Sequence, residues 1–237
     1  REYLKEVRGL SDETINFFSE KGVLAQATKK IGNYYEPIIV FKSLNSQNEV
    51  IGASLQGIRE NNDLYERGRL KQIMRASDGL TGMHIDIGQP KRLVFAEAPI
   101  DLMSYYELHK GELSDVRLIA MDGLKESTIS RHVAELLYEL GEIKAQVKPE
   151  NYSTFLSQTA EVTDFFKDGK HQELITLAVD NDTAGHTFIN RLADKGISFS
   201  SDLPSMPADK DKMDWNDALK ESKEKALDRS QEPINNI

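Results

Sequence analysis

Segments of two kinds alternate through the second half of the sequence, and this alternation constrains the fold more than any other feature. Short, continuously apolar segments, which are typical of strands buried on both faces, are interleaved with segments of helical spacing. The apolar segments are residues 93–96, 117–121, 174–179 and 197–199, and the helical segments are 100–108, 128–140, 152–166, 183–195 and 217–227. Repeated strand–helix units predict a parallel sheet with helices on both faces.

The first ninety residues have a different pattern. Ser11 precedes two acidic residues and apolar positions at helical spacing, which predicts a capped helix that stops near Gly22. Residues 37–41 and 50–55 read as two strands of a hairpin around the turn-forming residues 45–48. A further strand-like segment, 83–87, comes before Gly88-Gln89-Pro90.

We therefore expect three parts along the chain. Residues 1–90 are predicted to form a small α+β domain, residues 91–227 an α/β domain, and residues 228–237 a flexible tail. Because the sequence starts at Arg1 and not at methionine, we expect it to be a fragment excised from a longer protein.

Composition excludes several classes of protein. The chain has no cysteine, so disulfides and thiolate zinc sites are excluded within it, and a reducing cytoplasm is compatible with this. No apolar run approaches the ~20 residues that span a membrane. The net charge of −9 argues against a protein that coats nucleic acid unspecifically, and the negative charge is concentrated after residue 92.

Acidic residues stand at the ends of two predicted strands. Glu97 follows residues 93–96, and Asp180 follows residues 174–179, with Asp182 two positions later. Since ligands bind beyond the carboxyl ends of parallel strands, we expect these three acids to share one edge of the sheet. Carboxylates grouped in this way suit Mg²⁺ or a similar hard cation, which can neutralise and orient a phosphate. The alternative is that each acid is a loop residue or a helix cap, and Asp182 fits a cap well.

Other sites with the pattern Asp-x-Asp fit less well. A calcium loop starting at Asp180 requires an oxygen ligand at its fifth position and Glu at its twelfth, where this chain has Ala184 and Arg191. A phosphatase of the haloacid dehalogenase type requires Thr or Val two residues after the second Asp, where this chain has Ala184; its Thr183 stands one position too early. A further acidic cluster, Asp214 to Asp217, surrounds the only tryptophan, and it is either a helix cap or a source of one more ligand.

Two segments resemble the motifs of the Toprim family. Residues 93–101 resemble its first motif, a strand that ends in Glu with an Asp four residues later, here Asp101. Residues 177–185 resemble its second, a strand that ends in Asp-x-Asp followed by a small residue and Gly185. The resemblance implies a Rossmann-like Toprim fold that binds Mg²⁺ or Mn²⁺ through Glu97, Asp180 and Asp182. It also implies that Glu97 can act as an acid or base in catalysis.

The likeness extends to the catalytic core of bacterial primases. Residues 3–11 and the hairpin that contains Val50 resemble the opening of that core, and Asp214 and Asp217 lie where primases place a further acidic motif. The whole pattern is most similar to Toprim proteins of conjugative plasmids and integrative elements of Gram-positive bacteria. Two residues depart from it. Asn216 in the acidic motif puts a second metal in doubt, and Ala98 in place of the usual Gly adds a Cβ that can alter how closely a substrate backbone approaches.

The primase-like layout implies a basic wall opposite the metal edge. Four cations before the Toprim-like half are candidates for contact with nucleic acid: Arg67, Arg69, Lys71 and Arg75. Their alternative is a solvated helix face with ion pairs such as that of Glu66 with Arg69.

These features predict a Mg²⁺- or Mn²⁺-dependent primase-like protein, located in the cytoplasm. It is expected to act on single-stranded DNA or a DNA/RNA hybrid. Other conjugation or replication proteins are its expected partners, and no association with a membrane is expected. Three alternatives stay open: a DNA-binding or assembly module without catalysis, a Toprim nuclease, and a phosphatase for small molecules.

Overall fold

Two β-sheets organise the chain. The structure, a computed structural model, describes residues 1–66 and 68–231. Its α-helices are α1 (Asp12–Glu20), α2 (Pro99–His109), α3 (Glu126–Glu139), α4 (Phe155–Val162), α5 (Thr183–Asp194) and α6 (Trp215–Gln231). Its strands are β1 (Leu24–Ile31), β2 (Tyr34–Leu44), β3 (Val50–Gly57), β4 (Lys71–Ile73), β5 (His84–Ile87), β6 (Arg92–Ala96), β7 (Val116–Ala120), β8 (Ile175–Ala178) and β9 (Ser200–Ser201).

The first sheet is antiparallel, in the order β1-β2-β3-β4. The predicted hairpin is confirmed as β2 and β3, and its turn is held by the Asn45 side chain, which accepts hydrogen bonds from the N–H groups of Gln47 and Glu49. Helix α1 is confirmed as well, with the Ser11 hydroxyl accepting from the Thr14 N–H. Strands β1 and β4 were not predicted, because both lie at sheet edges and their largely exposed residues carry no apolar alternation.

The second sheet has the order β5-β7-β6-β8-β9, with all neighbours parallel except β5 and β7. The predicted α/β arrangement with a largely parallel sheet between helices is confirmed. On β6, Leu93 and Phe95 pack into one apolar core and Val94 and Ala96 into another, so both faces of the sheet are covered. This double burial is the reason why the strands read as continuous apolar segments.

Strand β5 lies before the boundary expected at residue 90 but belongs to the second sheet. His84–Ile87 pairs with β7 in the second sheet, and the Arg117 guanidinium fixes the pairing through hydrogen bonds of 2.7 and 3.0 Å to the Asp86 carboxylate. Residues 88–90 therefore connect two strands of one sheet. The two parts of the chain also share a core, in which Leu4 and Phe18 join residues of the second sheet and of α6.

Three predicted elements differ in extent. Helix α4 covers only residues 155–162 of the predicted 152–166. Strand β9 lies at 200–201, and Ile197 of the predicted strand is buried in a loop. Helix α6 begins at Trp215 and continues to Gln231, so residues 228–231 of the predicted tail are helical, and residues 232–237 lie outside the described part. No helix among the described residues has the length and apolar character needed to cross a membrane.

A buried histidine gives the fold a pH dependence. His132 on α3 is fully buried, and its Nε2 lies 2.8 Å from the Thr81 carbonyl oxygen. Burial, with His84 and Arg117 nearby, lowers the pKa of His132 well below its usual 6.5. As the pH falls below 6.5, His132 becomes protonated in the unfolded chain but not in the folded chain. Stability is therefore lost as the pH falls through this range.

We expect His132→Gln to reduce this pH dependence. The free energy of unfolding, measured by urea denaturation between pH 7.5 and 5.0, is expected to fall less steeply for the variant than for the unsubstituted protein, because the amide does not titrate. Equal slopes for the two proteins would show that His132 does not contribute.

Candidate metal and nucleic-acid site

Glu97 and Asp180 follow adjacent parallel strands. Ala96 at the end of β6 is in register with Ala178 at the end of β8, and Glu97 and Asp180 come one and two residues later. Neighbouring strands lie about 4.8 Å apart, so the two acids are close at the carboxyl edge of the sheet. The edge predicted from the sequence is therefore where the fold brings these residues together.

Asp182 caps helix α5, as its alternative interpretation expected. One carboxylate oxygen, Oδ1, accepts a hydrogen bond of 2.8 Å from the Gly185 N–H. Gly185 is required there, because a Cβ at this position would lie 2.1 Å from the Asp180 carbonyl oxygen. The cap leaves the other oxygen of Asp182 facing the sheet edge. Capping and cation binding are thus compatible roles for this residue.

A lysine lies between the two aspartates. The Lys212 ammonium is 3.1 Å from Oδ2 of Asp180 and 3.2 Å from Oδ2 of Asp182. Asp180 is 5% exposed, and its Oδ1 is buried without a hydrogen-bond partner among the described residues. The Lys212 ammonium thus bridges the two aspartates, and Oδ1 of Asp180 is left to bind a further ligand.

The charges at this edge shift one another's pKa values. Burial, reinforced by Asp180, raises the pKa of Glu97. Burial also raises the pKa of Asp180, although Lys212 opposes this. Burial alone would raise the pKa of Asp182, but the hydrogen bond from Gly185 and the Lys212 charge outweigh it, so that pKa is lowered. Raised carboxylate pKa values reflect negative charge that lacks sufficient solvation, and a divalent cation would relieve it.

The donor set suits Mg²⁺ or Mn²⁺, although the ligands are not fully gathered. Within residues 1–66 and 68–231, no group of three or more His, Cys, Asp or Glu side chains has a geometry that could hold a metal ion. Asp180 and Asp182 converge on the one position that the Lys212 ammonium occupies. The buried Oδ1 of Asp180 has no hydrogen-bond partner among the described residues. Hard cations of this kind take only a few carboxylates and keep several waters. The ligand types therefore suit such an ion, and Glu97 is the third acid at the edge, but the three carboxylates are not gathered around one position among the described residues.

The four residues from Asp214 to Asp217 have different roles. Asp214 caps α6 by accepting a 2.7 Å hydrogen bond from the Asp217 N–H, and it also lines the cleft described below. The Trp215 ring is buried and donates to the Ala178 carbonyl oxygen at 3.0 Å. Asn216 is buried, and its amide donates to the Arg8 carbonyl oxygen and the Ser104 hydroxyl. Asp217 pairs with Lys220 on the helix surface and does not line the cleft.

Asp101 lies in the first turn of α2 and is 9% exposed. Burial, followed by the negative charges of Asp214 and Asp180, raises its pKa well above the usual value, so Asp101 holds a proton more readily than an exposed carboxylate. Ala98 precedes α2 in extended backbone with φ −133°, a conformation open to any residue. Its methyl group therefore causes no backbone strain where the family has Gly.

A cleft of about 300 Å³ separates the acids from the first sheet. The wall on the side of the second sheet carries four carboxylates: Glu97, Asp101, Asp122 and Asp214. The opposite wall is formed by residues of β2, β3 and β4, and includes Gln56 and Lys71. Arg8 also lines the cleft. The first part of the chain thus faces the acidic edge, as the primase-like layout predicted.

Only part of the predicted basic stretch forms this wall. Lys71 lies in β4 and lines the cleft, and its charge lowers the pKa of Glu97, against the larger effect of burial. Arg69 turns away, because its guanidinium pairs with Glu60 at 3.6 Å and lies 5.2 Å from the centre of the Tyr3 ring. Arg75 is exposed in the turn after β4. Arg67 lies outside the described residues. The segment is a turn and a strand, so the alternative of a solvated helix face is wrong.

Three residues of the site were missed from the sequence. Asp122 follows β7 and lines the cleft, and burial raises its pKa. The rule that identified Glu97 and Asp180 could have found it, since β7 is a third parallel strand that ends beside an acid. Arg8 and Lys212 carried no comparable signal, because tertiary contacts alone bring them to the edge.

Comparisons with known proteins find similar sequences and similar folds. Residues 140–219 match the sequence model of a family described as Toprim-like. An uncharacterised protein of Bacillus anthracis, pXO2-78, is 29% identical over 228 residues, which cover 93% of this chain and 56% of that protein. The chain therefore spans little more than half the length of this relative.

Solved primase structures are similar in arrangement. The primase fragment of the bacteriophage T7 primase-helicase is 13% identical, with a TM-score of 0.48 over 94% of this chain and 72% of that one. The DnaG catalytic core is 15% identical, with a TM-score of 0.47 over 97% of this chain and 72% of that one.

The segment matched by the family contains Asp180, Asp182, Lys212 and Asp214, and Glu97 lies before it. These residues meet at the carboxyl edge of a parallel sheet between helices. Residues 140–219 of this chain are therefore similar to a Toprim-like domain.

Proposed function

We propose that this chain is a primase-like protein that uses Mg²⁺ or Mn²⁺ to make or break phosphodiester bonds on single-stranded DNA or a DNA/RNA hybrid. The observation that carries the proposal is the cleft, in which a carboxylate edge faces a wall that contains Lys71. Its volume of about 300 Å³ is at the lower end of ligand pockets and suits a single nucleotide.

The residues of the cleft and of the adjacent sheet edge have three roles in this proposal. Glu97, Asp180 and Asp182 hold the cation, which neutralises phosphate charge and orients the ester. Lys71 on the opposite wall, together with Arg8, binds phosphate oxygens of the strand or nucleotide. Glu97 is also the proposed acid or base that exchanges a proton with the reacting hydroxyl.

The biological setting in the proposal is a mobile element. The Bacillus anthracis relative is encoded on a plasmid, and it is similar over almost the whole of this chain. We therefore propose that the protein acts in the cytoplasm, with other conjugation or replication proteins, on the DNA of such an element.

Nucleotide incorporation on a single-stranded template tests the activity. With Mn²⁺ or Mg²⁺ and labelled nucleotides, we expect template-dependent products, and we expect Glu97→Gln to lower their rate of formation by about a hundredfold or more, since a positioned acid or base contributes that much. Binding of the template, measured by fluorescence anisotropy, is expected to persist. Glu142→Gln, an exposed change far from the cleft, serves as the control and is expected to leave the rate unchanged.

A binding or assembly module without catalysis is the second candidate. It is favoured by the lack of a gathered three-acid metal group among the described residues, and by the lysine that bridges the aspartates. Template binding without incorporation or cleavage, by the unsubstituted protein and at all metal concentrations, supports the module. Shortening of the labelled template in the same assay indicates a nuclease instead.

A further inference from the structure

The position of Lys212 is fixed by the backbone around it. Its neighbour Met213 is 1% exposed and exchanges two backbone hydrogen bonds, of 2.8 and 3.1 Å, with Asn181. Asn181 is the central residue of the Asp-x-Asp motif, and its side chain is itself held by the Pro204 carbonyl oxygen at 3.0 Å. The bridge therefore holds the Lys212 backbone directly beside Asp180 and Asp182.

The lysine side chain combines a strong contact with freedom to leave. It is 54% exposed, and its ammonium contacts both aspartates at close to 3 Å. Burial alone would lower the pKa of Lys212, but the two carboxylates hold it above its usual value, so the group stays charged. A flexible, exposed stem allows the ammonium to move into solvent without disturbing the buried Met213.

We propose that Lys212 is a resident counter-ion of the Asp180–Asp182 pair, which positions both carboxylates in the metal-free protein and which a divalent cation must displace. The ammonium and the cation share the same two carboxylate oxygens, so they compete for one position. This competition weakens metal binding. The inference rests on the proposed metal site and assigns a role to a residue outside its acids.

Manganese binding to the purified chain tests the proposal. Isothermal titration with MnCl₂ is expected to show Lys212→Gln binding Mn²⁺ about tenfold more tightly than the unsubstituted protein, as the loss of two partly exposed ion pairs predicts. Lys212→Arg keeps the charge and is expected to stay within about twofold of the unsubstituted protein. Lys210→Gln is the matched control: it removes the same charge two residues away, where Lys210 pairs with Glu221 at 2.7 Å. It is also expected to change affinity by less than about twofold.

A second measurement, thermal unfolding, compares the variants first without metal and then with it. In EDTA, Lys212→Gln is expected to melt at a lower temperature than Lys212→Arg, because the aspartates repel each other without a counter-ion, and MnCl₂ is expected to remove the difference. Unchanged Mn²⁺ affinity in Lys212→Gln, with clear binding by the unsubstituted protein, overturns the proposal and leaves the proposed function standing. No Mn²⁺ binding by any of the proteins overturns both. If Lys212→Gln and Lys210→Gln gain the same Mn²⁺ affinity, the specific role of Lys212 is overturned.

Discussion

Asp180→Asn is expected to weaken Mn²⁺ binding to this protein by about a hundredfold or more. The substitution keeps the shape of the side chain but removes one negative charge from the cation position. It also replaces one carboxylate oxygen with an amide nitrogen, which cannot bind a metal ion. Hard divalent cations depend on charged oxygen ligands, and even residues that only support such ligands change metal affinity by about 10- to 100-fold.

The measurement is titration with MnCl₂, followed by calorimetry or by the electron paramagnetic resonance signal of free Mn²⁺. Asp194→Asn is the matched control, because it removes the same charge from the exposed end of α5. We expect the control to bind Mn²⁺ like the unsubstituted protein. Circular dichroism is expected to show that both variants are folded. Equal affinities for Asp180→Asn and Asp194→Asn would exclude Asp180 as a ligand.

Gly185→Ala is expected to lower the free energy of unfolding by about 2–3 kcal/mol, in the range of substitutions that overfill a packed site. The added Cβ would lie 2.1 Å from the Asp180 carbonyl oxygen, which belongs to rigid backbone at the end of β8. To make room, α5 has to move away from the strand, and this stretches the hydrogen bond from the Gly185 N–H to Asp182. At about 2–4 °C per kcal/mol for a chain of this size, the melting temperature falls by roughly 4–12 °C.

Gly111→Ala is the control for Gly185→Ala. Gly111 lies in the turn after α2, and nothing stands within 4 Å of a Cβ added there. Urea denaturation of both variants gives the comparison, and we expect a change of less than about 0.5 kcal/mol for Gly111→Ala. A change in the free energy of unfolding of less than about 0.5 kcal/mol for Gly185→Ala would contradict the close contact between α5 and the backbone after β8.

The alternating apolar segments were sufficient to predict strands β6, β7 and β8 of the second sheet. Strands such as β6 are buried on both faces, so their sequence is continuously apolar, and the acids that follow them are placed by the fold's general rule for ligand sites. The β2–β3 hairpin was predicted because the Asn45 turn has a local chemical signature. In each case the signal lies within a few consecutive residues.

Features that depend on distant contacts were not predictable in this way. Strand β5 joins the second sheet through pairing with β7 and the Asp86–Arg117 ion pair, which no local pattern encodes. Arg69 was read as a phosphate contact but is engaged by Tyr3 and Glu60. Lys212 reaches the aspartates because Asn181 and Met213 are joined by backbone hydrogen bonds. These two residues are 32 positions apart in the sequence, so no local pattern signals the contact.

The central claim is that a divalent cation binds at the carboxyl edge of the second sheet. Anomalous diffraction from crystals grown with MnCl₂ tests it most directly. The account predicts a manganese peak within about 2.5 Å of carboxylate oxygens of Glu97, Asp180 and Asp182, with the Lys212 ammonium moved away from both aspartates. A saturating Mn²⁺ concentration that leaves no peak at this edge, with Lys212 still bridging Asp180 and Asp182, would contradict it.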